Sequence, residues 1–166
     1  MRLFLFLVLE LKSYYSFSQN QGNSWMFGDS AGLNFETSPP SYFFSSIYTY
    51  EACASISDND GNLLFYTNGN KVWNQNNEVM SNGDDLEIAG NPSSVTQGVI
   101  ILPSPGFDYE YIIIYKDFIG YKYSRVDMNG DGSYGEVIEK NTLLDTINYF
   151  TEKMYAIKHA NGRDWW

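Results

Sequence analysis

The chain has 166 residues, with 20 acidic against 10 basic side chains and a formal charge of −10. This charge would repel a phosphate backbone or an anionic lipid surface, so nucleic-acid binding is excluded from the expected functions. Aromatic residues make up 17% of the chain and charged residues 18%, a composition typical of short strands joined by tight turns. The length is sufficient for one domain or for part of one.

Residues 1–18 have the features of a secretory signal. The basic Arg2 precedes an apolar run from Leu3 to Leu9, and small and polar residues follow up to Gln19. The run is too short to span a bilayer, and the alternative is a buried N-terminal strand. We therefore expect a signal peptide at 1–18, a secreted or cell-surface protein, and a folded domain at 19–166.

The first group of predicted strands lies between residues 52 and 80. Ala52–Ser57 and Asn62–Thr67 are strand-like runs joined by a loop with an Asp-Gly pair, which predicts a hairpin. Lys71–Asn74 and the short Glu78–Met80 follow after Asn and Gly turns. Four short strands in meander order would form one blade of a β-propeller.

A second group predicts strands at Gln97–Leu102, Tyr109–Lys116, Gly120–Asp127 and Tyr134–Lys140. The run Tyr111–Tyr115 is apolar on both faces, which indicates a central strand of a sheet that is covered on both sides. The two groups are about 45 residues apart, a period found in propeller repeats, and Ala54 in the first group corresponds to Val99 in the second.

The remaining segments are less regular. Asn141–Phe150 is predicted to be a connection with one helical turn, because Leu143, Leu144, Ile147 and Phe150 would share a helix face. A third strand group begins at Glu152–His159, turns at Asn161-Gly162, and is still running at Trp166. We therefore predict an all-β fold: a truncated β-propeller fragment of two to three blades, each an antiparallel four-stranded meander.

An ordered series of motifs supports this prediction. It includes Asn23–Gly28, Tyr50–Asp58, Gly61–Gly69, Tyr123–Met128 and Lys158–Trp165. The series resembles the N-terminal domain of large surface proteins that gliding bacteria export by type IX secretion. The resemblance implies a WD40-like or quinoprotein-like β-propeller, with polycystic-kidney-type (PKD) repeats and a sorting domain further along the polypeptide, and a part in adhesion or gliding motility. It provides no catalytic residues to carry over.

One segment has the beginning of a calcium-binding loop. Asp127, Asn129 and Asp131 place oxygen ligands at alternate positions, and glycines allow a sharp turn. The twelfth position of the loop is Ile138 where Glu is expected. The alternative is a plain turn whose side chains bind their own backbone, and it is favoured over the calcium site.

Other candidate residues favour structural roles. Ser57–Leu64 partly resembles the Asp-box turn of sialidases, but the arginine cluster that a sialidase needs is missing from the sequence. The lone His159 is expected to bind backbone and the lone Cys53 to be packed. Trp25, Tyr66, Trp73 and Trp165 are expected in the core, and other aromatic residues could form a carbohydrate-binding surface.

These observations predict a non-catalytic recognition or scaffold module of an adhesin or gliding-associated surface protein. Its expected partners are a carbohydrate or a surface protein, together with downstream domains of the same polypeptide. No cofactor is expected apart from calcium, which is less favoured than a plain turn. No membrane insertion is expected after the signal peptide is removed. The alternative is a fragment of a propeller enzyme, a hydrolase or a quinoprotein-like oxidoreductase, whose active residues lie outside this chain.

Overall fold

The computed structural model of the protein describes residues 20–90, 94–145 and 151–166, so the predicted signal peptide lies outside the described residues. The described part is all-β, as predicted, with two short 3₁₀ turns at Asn20–Gly22 and Asp131–Ser133. Its strands are β1 (Ser24–Phe27), β2 (Asp29–Asn34), β3 (Ser41–Tyr48), β4 (Ala54–Ser57), β5 (Leu63–Thr67), β6 (Val72–Asn74), β7 (Val99–Pro103), β8 (Glu110–Lys116), β9 (Tyr121–Asp127) and β10 (Glu136–Asp145). Within these ranges no helix has the length and hydrophobicity needed to cross a bilayer.

The strands form three antiparallel sheets, each a meander in which consecutive strands are neighbours. The first sheet contains β1 to β3, the second β4 to β6, and the third β7 to β10. Ala54 and Val99, which the repeat prediction matched, are the first residues of β4 and β7. The two predicted strand groups therefore correspond to two separate meanders, the second and third sheets.

The second predicted strand group is confirmed as the four-stranded third sheet, with Tyr111–Tyr115 inside the interior strand β8. The first group differs from its prediction. Its fourth strand, Glu78–Met80, is reduced to a single bridge between Trp73 and Val79. On either side of this bridge, the Asn74 amide donates to the Glu78 carbonyl and the Met80 amide donates to the Val72 carbonyl. The segment therefore lies beside β6 but does not form a regular fourth strand.

Two further predictions are corrected. The helical turn predicted within 141–150 is wrong up to Asp145, because β10 continues to that residue, and 146–150 lie outside the described residues. Leu143 and Leu144 follow each other on this strand, and both are exposed. The strand predicted at Glu152–His159 is reduced to a bridge between Lys158 and Trp165, which closes a hairpin around the predicted Asn161-Gly162 turn.

The first sheet has two faces of different character. Met26, Gly32 and Phe43 are paired across its three strands, and this row faces the second sheet. A β-carbon on Gly32 would lie 2.5 Å from the Phe43 ring, so the ring packs directly on the backbone of β2. Glycine is therefore required at this position for the close contact.

The second sheet is covered on both faces. Tyr66 and Trp73 stack with ring centroids 5.4 Å apart and pack with Met26 and Ile47 of the first sheet. On the opposite face, Phe65 packs against Tyr111 of the third sheet at 5.5 Å between ring centroids. Adjacent residues of β5 thus belong to two different cores, as the alternation of a strand requires.

The first strands of the three sheets lie side by side, with β1 beside β4 and β4 beside β7. Ser55 Oγ donates to the Ser24 carbonyl at 2.6 Å and ties β4 to β1. The C-terminal segment is next in this series and lies beside β7. The Met154 amide donates to the Gln97 carbonyl, and Trp165 Nε1 donates to the Pro103 carbonyl at 3.2 Å. The sheets therefore follow one another in chain order with their first strands on one side.

Two buried tyrosines repeat one arrangement. Tyr66 on β5 and Tyr115 on β8 are each the penultimate residue of the second strand of a sheet, and each faces the preceding sheet. Their hydroxyls donate to the side chains of Asn77 and Asn141, at 2.7 and 2.6 Å. Both asparagines have positive φ, 66° and 59°, a conformation that Asn tolerates better than most residues. Each bond therefore links the second strand of a sheet to a residue that follows the third strand of the same sheet.

The Tyr66→Phe variant tests this arrangement. Loss of the hydroxyl leaves Asn77 without its donor, and we expect the free energy of unfolding at pH 7 to fall by about 1 kcal/mol. Burial raises the pKa of Tyr66, so the unfolded chain releases this proton at a lower pH than the folded chain. The wild type should therefore lose stability as pH rises above about 10, and the variant should lose less.

Chemical denaturation between neutral and alkaline pH measures both effects. Tyr155→Phe, which alters a strongly exposed side chain, is the matched control and should leave the unfolding free energy unchanged. Identical alkaline slopes for the wild type and Tyr66→Phe would contradict the role given to this hydroxyl.

The turn between β4 and β5 is held by one carboxylate. Asp58 Oδ1 accepts the amides of Asp60 and Asn62, both at 2.9 Å, and Oδ2 accepts the Asn62 side chain at 3.0 Å. Partial burial of Asp58 acts to raise its pKa, but the hydrogen bonds from Asn62, Asp60 and Gly61 outweigh it and lower the pKa. The turn that resembles an Asp box is therefore a structural element of the second sheet.

We expect Asp58→Ala to reduce the free energy of unfolding by about 1–2 kcal/mol at pH 7, because charge-assisted bonds are lost. The folded-state pKa lies below the unfolded value, so this contribution is present above about pH 4 and is lost as pH falls further. Denaturant titration at neutral and acidic pH checks this. Asp60→Ala is the control, and an equal loss in both variants would contradict the assignment.

Candidate functional site

The most prominent exposed surface is the outer side of the first sheet. We define the aromatic face as Trp25, Phe27, Leu33, Phe35, Tyr42 and Phe44. Trp25, Leu33 and Tyr42 are paired across the three strands, and Phe27, Ala31 and Phe44 form the next row. Because paired residues of an antiparallel sheet point to the same side, these side chains form one continuous surface.

The aromatic face is open to solvent. Trp25 is 55% exposed, Tyr42 57% and Phe44 73%. The expectation that Trp25 belongs to the core is therefore wrong, whereas Tyr66 and Trp73 are buried as expected. Rings on the face contact each other, with centroids 4.8 Å apart for Trp25 and Phe35 and 5.1 Å apart for Tyr42 and Phe44. A contiguous apolar surface of this kind is typical of an interaction site.

The opposite end of the molecule also presents an apolar surface. We define the aliphatic face as Ile100, Leu102, Ile112 and Ile114 on β7 and β8, which point away from the second sheet. Together with residues 153–156 and the C-terminal hairpin, they line a groove with a volume of about 610 Å³. Trp165 and Trp166 lie at this groove, and Trp166 is exposed.

Charged residues on β8, β9 and β10 border the aliphatic face. Arg125 pairs with Glu110 at 2.5 Å and with Glu139 at 3.4 Å between nitrogen and oxygen. Tyr123 donates to Glu139 at 2.8 Å, which raises the pKa of the Tyr123 hydroxyl. The outer surface of the third sheet thus has an apolar part beside a polar border, the usual anatomy of a protein interface.

The predicted calcium ligands lie in the loop between β9 and β10. Asp127 Oδ1 accepts the amide of Asn129 at 2.8 Å, while Asn129 and Asp131 are exposed. This is the self-capping turn that the sequence offered as the alternative. Among residues 20–90, 94–145 and 151–166, no three His, Cys, Asp or Glu side chains are grouped to hold a metal ion. The calcium site stays a prediction.

The other single candidates have structural contacts. His159 Nδ1 accepts the amide of Asn161 at 3.1 Å, so the expected bond to backbone is confirmed. Cys53 is half-buried beside the cluster of Met26, Tyr66 and Trp73, and burial raises the pKa of its thiol. This confirms the expectation of a packed thiol.

Comparisons with known proteins give no relative for this chain. No protein family, no curated protein and no solved structure matches it. The interpretation of the aromatic face and the aliphatic face therefore depends on their geometry.

Sequence reasoning did not assign the strands of the first sheet or its aromatic face. Ser24–Phe27 and the second half of Ser41–Tyr48 alternate between buried and exposed positions, but polar and apolar residue types do not alternate in step with them. Both outward and inward positions carry apolar residues, and this obscured the alternation.

Thiol reactivity tests the placement of Cys53. At pH 8 we expect the folded chain to react with an aromatic disulfide reagent at least about tenfold more slowly than the chain unfolded in guanidinium chloride, because burial disfavours the thiolate. Absorbance of the released thiolate gives both rates. A Cys53→Ser, Ser41→Cys variant, with its thiol at an exposed position, should react fast when folded, and equal folded and unfolded rates in the wild type would contradict the burial.

Proposed function

We propose that the chain is part of a β-propeller and serves as a non-catalytic scaffold and recognition module of an exported surface protein. The observation that carries this proposal is the side-by-side arrangement of β1, β4 and β7, each the first strand of an antiparallel meander. In a propeller the first strands of successive blades surround a common axis, and hydrophobic cores lie between blades. Both features have counterparts in this chain.

The positions of the two cores support the proposal further. One core lies between the first and second sheets and the other between the second and third, with Tyr66 and Phe65 pointing to opposite sides of β5. The tyrosine and asparagine pairs, Tyr66 with Asn77 and Tyr115 with Asn141, recur at equivalent places in successive sheets. A recurring unit of this kind is typical of a repeat architecture.

The use of polar side chains favours a non-catalytic role. Asp58 holds a turn, Arg125 joins neighbouring strands through two carboxylates, and Lys122 pairs with Glu87 and Asp117. In these groups the altered pKa values come from bonds that stabilise strands and loops. The exposed aromatic face is better suited to holding a partner than to chemistry.

Localisation in the native host tests the exported-module part of the proposal. Antibodies raised against the folded chain should label intact cells, and deletion of residues 1–18 should abolish this labelling while protein remains in the cell lysate. Protease treatment of intact cells should remove the signal. Labelling that appears only after permeabilisation would contradict export to the surface.

Recognition is tested with the purified protein on glycan arrays and with isolated surface proteins. We expect binding without consumption of the ligand. Turnover of a glycan or a quinone-dependent oxidation by the complete polypeptide would instead support the enzyme alternative and overturn the non-catalytic assignment.

A further inference from the structure

A cleft with a mixed polar and aromatic lining opens between the second and third sheets. Its volume is about 630 Å³, within the range of about 300–1,000 Å³ typical of small-molecule sites. We define the polar cleft by six residues that line it: Gln21, Ser57, Asp108, Tyr109, Tyr111 and Lys158. They belong to the first 3₁₀ turn, the end of β4, the loop between β7 and β8, β8 itself and the C-terminal hairpin. Only the folded stack brings these segments together.

Two residues of the polar cleft have a buried oxygen without a hydrogen-bond partner. Ser57 is fully buried at the end of β4, and its Oγ bonds to no group among residues 20–90, 94–145 and 151–166. Oε1 of Gln21 is likewise unpaired within these ranges, although Nε2 of the same amide donates to Asn59 Oδ1 at 2.6 Å. Buried polar groups are normally satisfied, so two such oxygens in the wall of one cleft point to a partner that the cleft receives.

An aromatic ring is held at the mouth of the polar cleft. Tyr109 is 64% exposed and has φ of 67°, a conformation that a bulky residue rarely adopts. Its carbonyl accepts the Met128 amide at 2.9 Å, which fixes the loop beside β9. Unfavourable backbone conformations of this kind are concentrated at ligand-binding positions, because the surrounding structure must maintain them.

The polar cleft contains hydrogen-bond acceptors and donors of both charges. Asp108 is exposed and makes no hydrogen bond or ion pair with the part of the chain that the structure describes. Burial, and then the charge of Asp58, raise the pKa of the Tyr111 hydroxyl, so a second carboxylate acts on this cleft. Lys158 supplies an ammonium group, which also lies 5.8 Å from the centre of the Trp165 ring.

These groups suit a ligand that is uncharged and carries many hydroxyls. Each hydroxyl can both donate and accept, so it can bond to the Asp108 carboxylate, to the Lys158 ammonium or to an amide. An anion would be repelled by the carboxylates, and a cation by Lys158. The exposed ring of Tyr109 can pack against the hydrocarbon side of a sugar ring.

We propose that the polar cleft binds a neutral saccharide, with Tyr109 packed on a sugar ring and Asp108 and Lys158 bonded to its hydroxyls. The bound sugar, or a water that it orders, completes the bonding of Ser57 and Gln21. The proposal rests on the recognition role of the proposed function, and it adds the site and the class of ligand.

The aromatic face is less suited to a sugar than the polar cleft is. The indole Nε1 of Trp25 already donates to the Gly22 carbonyl at 2.9 Å. Phe27, Phe35 and Phe44 present hydrocarbon alone. A sugar on this face would leave most of its hydroxyls without protein partners, so the two surfaces make different predictions for mutation.

Isothermal titration calorimetry of the full chain tests the proposal with four trisaccharides. Three are neutral (maltotriose, cellotriose and laminaritriose), and trigalacturonate is anionic. At least one neutral trisaccharide should bind, and Asp108→Ala should weaken it at least about tenfold, the loss expected for a charge-assisted hydrogen bond. Glu51→Ala is the matched control, because it removes the same charge from an exposed residue that does not line the cleft.

A second pair of variants separates the cleft from the aromatic face. Tyr109→Asn removes the ring, and Asn tolerates the positive φ, so the chain should remain folded and bind at least about tenfold more weakly. Tyr42→Ala removes a ring of similar exposure, 57%, from the aromatic face and should leave binding unchanged. Thermal melting verifies that each variant is folded.

Ser57→Ala gives a readout that a merely structural hydroxyl would not give. Because Oγ is unpaired in the sugar-free chain, the variant should melt at the same or a higher temperature than the wild type. Its affinity for the neutral trisaccharide should nevertheless fall. A lower melting temperature together with unchanged affinity would contradict the link between this oxygen and the ligand.

Other outcomes would also overturn the proposal. One is the absence of binding by all three neutral trisaccharides at millimolar concentration. Another is binding that Tyr42→Ala abolishes and Tyr109→Asn leaves intact, which would place the sugar on the aromatic face. Preference for trigalacturonate, weakened by added NaCl, would indicate an ion-pairing site instead. Export of the protein is tested separately by cell labelling, so these results concern only the cleft and its ligand.

Discussion

The structure depends on the burial of the second sheet from both sides. Phe65 and Tyr66 are adjacent on β5, both are fully buried, and their side chains enter different cores. The second sheet carries apolar residues on both faces, and burying them requires the first sheet on one side and the third sheet on the other. A hairpin of two such short strands would be only marginally stable alone. The requirement for cover on both faces explains why the short strands of this chain form an ordered stack.

Polar contacts set the spacing and order within this stack. Tyr66 bonds to Asn77 and accepts the Ser46 amide at 2.9 Å, so one hydroxyl links the second sheet to the first. Tyr115 is bonded in the same way to Asn141, where the pairing of β10 with β9 is shifted. Such buried bonds contribute modestly to stability when they are made and cost more when they are broken, which favours one arrangement of the sheets over others.

The all-β class, the hairpin at residue 58 and the four-stranded third sheet could be predicted from the sequence, because Asp-Gly and Asn-Gly pairs mark turns between apolar runs. The match between Ala54 and Val99 was also available. The reduction of Glu78–Met80 to a bridge at Val79 was not predicted, and neither was the extension of β10 to Asp145, which depends on pairing with β9. The exposure of Trp25 was missed because sequence alternation does not reveal which apolar face has a neighbour. The self-capped turn at Asp127 was among the alternatives.

The most direct test of the central claim is a double-mutant cycle across the second and third sheets. Phe65→Leu and Tyr111→Leu remove the two partners of a ring contact, and the account predicts a coupling of about 0.5–1.5 kcal/mol in the free energy of unfolding. The matched cycle of Phe65→Leu with Ile47→Val, which lie in different cores, should give coupling near zero. Zero coupling for Phe65 and Tyr111, or comparable coupling in both cycles, would contradict a stack in which the second sheet separates two cores.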